Sequence, residues 1–132
     1  MFDASNRQAC RVRKSITSTP LHALTTLNDP TWVEAARNLA ATAAKKTEAL
    51  PDQLTYAFRR VLCRHPHESE LNRLKTAYAK QLEIYQSDEA SALALLSVGQ
   101  KQREESQSAG QQAALTAVCL ALFNLDESLT RE

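Results

Sequence analysis

The sequence predicts an all-α fold: a single compact bundle of about five to six helices behind an extended N-terminal segment. Three observations carry this. Hydrophobic residues make up 43% of the 132 residues but aromatics only 5%, so Ala and Leu, both helix formers, must fill the core. Two glycines and four prolines are too few for the tight turns of a β fold. Most of the chain after residue 18 shows apolar residues three and four apart, the helical period. A chain of this length is one domain and buries enough surface to need no metal or disulfide.

Residues 1–18 lack that period and are rich in Arg7, Arg11, Arg13 and Lys14, which predicts an extended basic segment. The helical domain follows over 19–132. Thr19-Pro20 starts a first short helix, with Leu21, Leu24 and Leu27 as its apolar stripe. Asn28-Asp29-Pro30 ends it and starts a second, capped by Asp29 and running to about Ala49. Val33, Ala36, Leu39, Ala40 and Ala43 form its inner face, and Trp32 is expected half-buried. Pro51-Asp52 opens a third helix to Cys63, which Pro66 bars from continuing. His67-Glu68 opens a fourth with the stripe Leu71, Leu74, Tyr78, Leu82 and Tyr85. Ser87 is expected to cap a fifth, Asp88 to about Ser97, ended by Gly99. Residues 100–110 read as a mobile polar loop. The last helix, Gln111 to about Leu125, is apolar enough to be the centre of the core.

The net charge of +1 gives no reason to expect nucleic acid or an anionic membrane as partner. The halves differ: residues 1–66 are net +5 and 67–132 net −4, which favours docking one on the other. On that ground Phe2 to Lys14 is expected against the C-terminal helix, with Arg11, Arg13 or Lys14 near Asp126 or Glu127. Those two carboxylates are expected near a helix C-terminus, where the dipole disfavours them. Asn124, in an apolar helix, needs hydrogen-bond partners, and the N-terminal backbone is a plausible source. Three cysteines, Cys10, Cys63 and Cys119, cannot all pair within the chain. Cys63, His65 and His67 are metal-ligand types but too close together, without a second pair, so no metal is expected. No glycine-rich phosphate loop, haem-attachment motif or local triad signature is present, so no catalytic or cofactor residue is assigned. No signal peptide opens the chain, and no apolar run is long enough to cross a bilayer.

The residues Phe2-Asp3, Arg7, Cys10, Arg13, Thr17, Thr19-Pro20-Leu21, Ala23-Leu24, Leu27-Asn28-Asp29-Pro30 and Glu34-Ala35-Ala36-Arg37 form a recognisable pattern. So do Phe58-Arg59, Val61 to Arg64 with Pro66, and Leu122 to Glu127 with Leu129-Thr130. Together they resemble the C-terminal domain of unknown function in planctomycete cytochrome-c-associated proteins. Departures are His22 for Gln, Ser18 for Asn, Cys63 for Gly and Ser128 for Phe.

The resemblance implies that the chain corresponds to the C-terminal part of a domain in a large exported protein. Its location would then be periplasmic or on the cell surface, and haem c would sit only in a separate upstream domain. No catalytic residue transfers with it. The expected role is a non-catalytic helical module packed on neighbouring domains of its parent. The alternatives are half of a catalytic or glycan-binding cleft completed upstream, and a stand-alone cytosolic helical protein. Candidate structural or interaction residues are Arg7, Arg13, Thr17, Asn28, Asp29, Asn124, Asp126 and Glu127.

Overall fold

The computed structural model describes residues 20–100 and 108–129. Among these residues there are seven helices and no strand: α1 (Pro20–Asn28), α2 (Pro30–Lys46), α3 (Leu50–Leu62), α4 (Glu68–Ser87), α5 (Glu89–Ser97), α6 (Ala109–Phe123) and α7 (Asp126–Leu129). The expected all-α bundle is what forms. The basic segment, the docking of Phe2 to Lys14, the sites Arg7, Arg13 and Thr17, and positions 101–107 of the 100–110 loop lie outside the described residues.

The helix starts follow the sequence closely. The Asp29 carboxylate accepts from the Thr31 N–H at 2.8 Å, and Pro30 takes the first turn, where its missing donor costs nothing. Lys45 and Lys46 close α2 at the end where the dipole favours cations, but Thr47 turns extended and ends it short of Ala49. The fifth helix is capped by Asp88 rather than Ser87, its carboxylate accepting from the Ser91 N–H at 3.0 Å. A carboxylate is the stronger acceptor at a positive helix end. The last long helix begins before Gln111, at Ala109, because the Ser108 hydroxyl caps it by accepting from the Gln111 N–H.

α6 is the central element, and ten of its fifteen residues are buried. It packs on α4, α2 and α5. An apolar surface on every side has to be covered on every side. Leu115, Val118, Cys119 and Leu122 share one core cluster with Val33, Ala36 and Ala40 of α2 and with Leu54, Ala57 and Phe58 of α3. The alanines leave room for the α2 and α6 backbones to approach. On the far side, Ala109 and Ala113 meet Ala92 and Leu96 of α5, with Tyr85 partly buried against them. The α4 stripe does face inward, Leu71, Leu74 and Tyr78 lying against the main cluster, yet no residue of α4 is fully buried. Trp32 is half-buried and meets Phe123 edge-on, the ring centroids 5.8 Å apart.

Two expectations about the core are corrected. Leu24 and Leu27 do not line the inner face of α1; they are 57% and 41% exposed, while Thr26 is fully buried. Leu125 is 41% exposed, because α6 stops at Phe123 and the chain turns before it.

The turn after α5 is held from α2. The Glu34 carboxylate accepts from the Gln100 N–H at 3.0 Å, and the Arg37 guanidinium donates to the Val98 carbonyl. Between them Gly99 adopts φ +97°, and a Cβ there would meet the Glu34 side chain at 2.6 Å. Only glycine satisfies both demands.

These burials separate two leucines that the sequence treats alike. Leu122→Ala is expected to cost about 2–5 kcal/mol of stability by leaving a cavity in the main cluster. Leu125→Ala should stay within about 1 kcal/mol, since much of that side chain is already in water. Urea unfolding of the two variants, compared at equal m-value, checks the difference.

Candidate functional site

The best-organised polar site lies where α3 hands the chain to α4, and Arg64 is its centre. α3 ends on Cys63, whose backbone is left-handed at φ 57° and whose N–H still bonds back to the Arg59 carbonyl. That reversal turns Arg64 back over the end of the core. Its guanidinium carbon sits 4.8 Å from the centroid of the buried Phe58 ring, a cation–π stack.

All five N–H groups of Arg64 have acceptors. Nη1 and Nη2 form a parallel fork with the two Glu70 oxygens at 2.8 and 2.7 Å, and Nε and Nη2 form a second fork with Glu127 at 2.7 and 2.8 Å. The fifth reaches the His65 carbonyl at 3.3 Å. Glu70 also accepts from the His67 N–H at 2.7 Å, closing the first turn of α4. One cation therefore joins the end of α3, the start of α4 and α7.

Hydrogen bonding to Arg64 holds the Glu70 carboxyl down at about 2, with the His67 N–H adding to the effect, and it lowers Glu127 as well. The same bonds raise Arg64 still further above its ordinary range. Elsewhere, burial pushes the Cys119 thiol up to about 12, so it stays protonated and is no nucleophile. Among the described residues each group with a shifted pKa thus moves away from neutrality. That is the pattern of ion pairs and burial rather than of a poised general base.

The other sequence candidates are dispersed. Asn28 donates to the Leu24 carbonyl of its own helix at 2.8 Å, and Asp29 is spent as the α2 cap. Asn124 closes α6: its amide nitrogen donates to the Leu120 carbonyl at 3.2 Å, and its oxygen accepts from the Thr26 hydroxyl. Asn124 thus has a partner in α1, while the expected N-terminal backbone lies outside the described residues. Asp126 and Glu127 do not oppose a helix dipole, because they occupy the first turn of α7, where negative charge is favoured. Glu127 takes its compensating cation from Arg64. The expected approach of Arg11, Arg13 or Lys14 lies outside the described residues.

Arg64 and Glu70 were missed as a site. The signal was present: a carboxylate three residues after the His67 cap, behind an arginine in the turn that belongs to the resemblance's pattern.

Cys63, His65 and His67 lie on the exposed turn around this junction. Among the described residues no group of three or more His, Cys, Asp or Glu side chains is placed to hold a metal ion. An open concavity of about 400 Å³ on the outer face of α4 is lined by Asn72, Arg73, Thr76, Ala77 and Lys80, all from that one helix. No described helix is long and apolar enough to cross a membrane.

The fold and the junction define a small helical domain in which a few polar side chains, Arg64 foremost, fasten one element to another. The PSD1 family model, described as a protein of unknown function (DUF1553), matches residues 1–78, and the chain belongs to this family. The match takes in α1, α2, α3 and the first half of α4, including Arg64 and Glu70. The stretch from Leu122 to Thr130, which the resemblance also covered, lies beyond it. No curated relative and no solved structure matches the chain.

Two measurements probe the junction. Cys63→Gly is expected to stabilise by about 1 kcal/mol, because a side chain at φ 57° is strained where glycine is not. Thermal unfolding gives the sign directly. The second is acid sensitivity. Glu70 is lowered from 4.5 to about 2 on folding, so its contribution is complete above pH 4.5 and is lost as the pH falls toward 2. Glu127, also lowered, acts in the same direction. The melting temperature of Glu70→Gln should therefore fall less steeply than wild type over that window and start lower at pH 6.

Proposed function

We propose that this chain is a non-catalytic helical module that packs on neighbouring domains of a larger exported protein of the planctomycete, cytochrome-c-associated type. The observation that carries this reading is how the candidate residues are used. Asn28, Asp29, Asn124 and Glu127 are engaged in capping and fastening, while apolar side chains beside them face outward. Leu24 and Leu27 stand one turn apart on exposed α1, and Leu125 follows the Asn124 that binds that helix through Thr26. Exposed leucines beside residues engaged in fastening suit a covering neighbour better than water. The resemblance read from the sequence supplies the kind of parent, a periplasmic or cell-surface protein with any haem c in a separate domain.

In this chain, Leu24→Glu combined with Leu27→Glu should change stability by no more than about 0.5 kcal/mol, as expected for surface positions. In the parent protein the same pair should split a melting transition shared with the neighbouring domain into two, as seen by calorimetry. A shared transition that survives the substitutions would rule this face out. Saturable binding of a soluble polysaccharide, lost on Asn28→Ala or Asp126→Ala, would favour the half-cleft alternative instead.

A further inference from the structure

α4 has two faces. Leu71, Leu74, Tyr78 and Tyr85 turn toward the core clusters. Round the helix from them, Arg73, Ala77, Lys80 and Ile84 are all exposed, Ile84 at 52%. Their spacing of four, three and four puts them within about 60° of one another, on a stripe about 16 Å long.

This stripe is two parallel lines. Arg73 and Lys80, seven residues apart, make a basic line, and Ala77 and Ile84, also seven apart, make an apolar one. A repeat of that kind is the spacing at which one helix lies along another. Ala77 has no bulk to hold a second backbone off, and it lies in the open concavity of about 400 Å³ that Asn72, Arg73, Thr76 and Lys80 also line. The Thr76 hydroxyl there donates to the Asn72 carbonyl at 2.9 Å, so its proton is spent on its own helix.

The basic line has no acid of its own. Glu70, one turn before Arg73, is held in a fork with Arg64. Glu83 follows Lys80 by three residues but stands about 90° round the helix from the stripe. Among the described residues neither Arg73 nor Lys80 enters an ion pair. Two such cations, in register with two apolar residues, complement a surface that carries acids at the same interval.

We infer that this outer stripe of α4 is a docking surface for a partner helix that carries an acidic residue at every seventh position beside an apolar one. The acids reach Arg73 and Lys80, and the apolar residues lie along Ala77 and against Ile84. Charge sets the register, since a helix slipped by one turn would set its acids against the apolar line. The surface belongs to another helix than Leu24 and Leu27, so it stands or falls independently of the reading proposed for them.

The test is a ¹H–¹⁵N chemical-shift titration of the full chain with a synthetic peptide of three heptads. The peptide is held helical by side-chain staples, with one Glu and one Leu in each heptad, four residues apart. Shifts should saturate and stay confined to residues 72–84. Arg73→Glu combined with Lys80→Glu should weaken binding by about tenfold or more, because like charges then face each other. Ile84→Ala should weaken it at every salt concentration, while rising salt should weaken the wild-type complex. All three positions are exposed, so the amide signals of the core should hold their places in each variant and separate lost binding from lost fold. Absence of a saturable shift would overturn the inference, as would shifts on α4 that survive the double reversal. Equal binding of a scrambled peptide of the same composition, or of poly-L-glutamate, would overturn it too, because charge alone would then account for the attraction.

Discussion

The arrangement of this bundle follows from the burial of α6. A helix with apolar or small residues on all its faces has no side it can offer to water, so α2, α4 and α5 are each placed by the face of α6 they cover. Alanine does much of this work. Ala36 and Ala40 on one side, and Ala92, Ala109 and Ala113 on the other, are almost fully buried and bring backbones close without large side chains. Phe58 and Leu54 supply bulk on the α3 side only. That explains how a chain with so few aromatics builds a continuous core.

With the core filled mainly by small side chains, the ends of the helices matter more than usual. Among the described residues these polar connections hold them. Glu34 and Arg37 clasp the turn after α5, Thr26 and Asn124 join α1 to the end of α6, and Arg64 gathers α3, α4 and α7. Each joins positions far apart in sequence at a helix terminus, where unpaired backbone groups and dipole charge are concentrated. Each takes one side from the stretch that places the chain in the PSD1 family, residues 1–78, and reaches beyond it on the other.

Arg64 also shows why an arginine cannot be exchanged for lysine at such a joint. Its planar fork serves two carboxylates at once and lies flat on Phe58, whereas an ammonium presents a point charge that does neither. Cys63, immediately before it, marks the opposite case. There the resemblance expects glycine, the backbone adopts the left-handed conformation glycine favours, and the chain carries a side chain nonetheless.

The sequence by itself determined the helices and most of their ends. Pro30 behind Asp29, the paired lysines closing α2, and the acidic first turn of α4 are local signals, acting over one turn, and local physics decides them. It also determined that the last long helix would be central, since uniform apolarity admits no other position. Which face of α1 turns inward was decided by the tertiary structure. Leu24 and Leu27 outweigh Thr26 in hydropathy, yet the hydroxyl of Thr26 is the group that meets Asn124, a residue 98 positions away. The same holds for Glu127. Its neighbours in sequence suggested a carboxylate opposing a dipole and awaiting the basic N-terminus. Two residues of early chain reversal instead placed it at the start of α7, within reach of Arg64. Periodicity specifies the axis of a helix and the width of its apolar face, but only the fold determines which distant side chain completes a hydrogen bond.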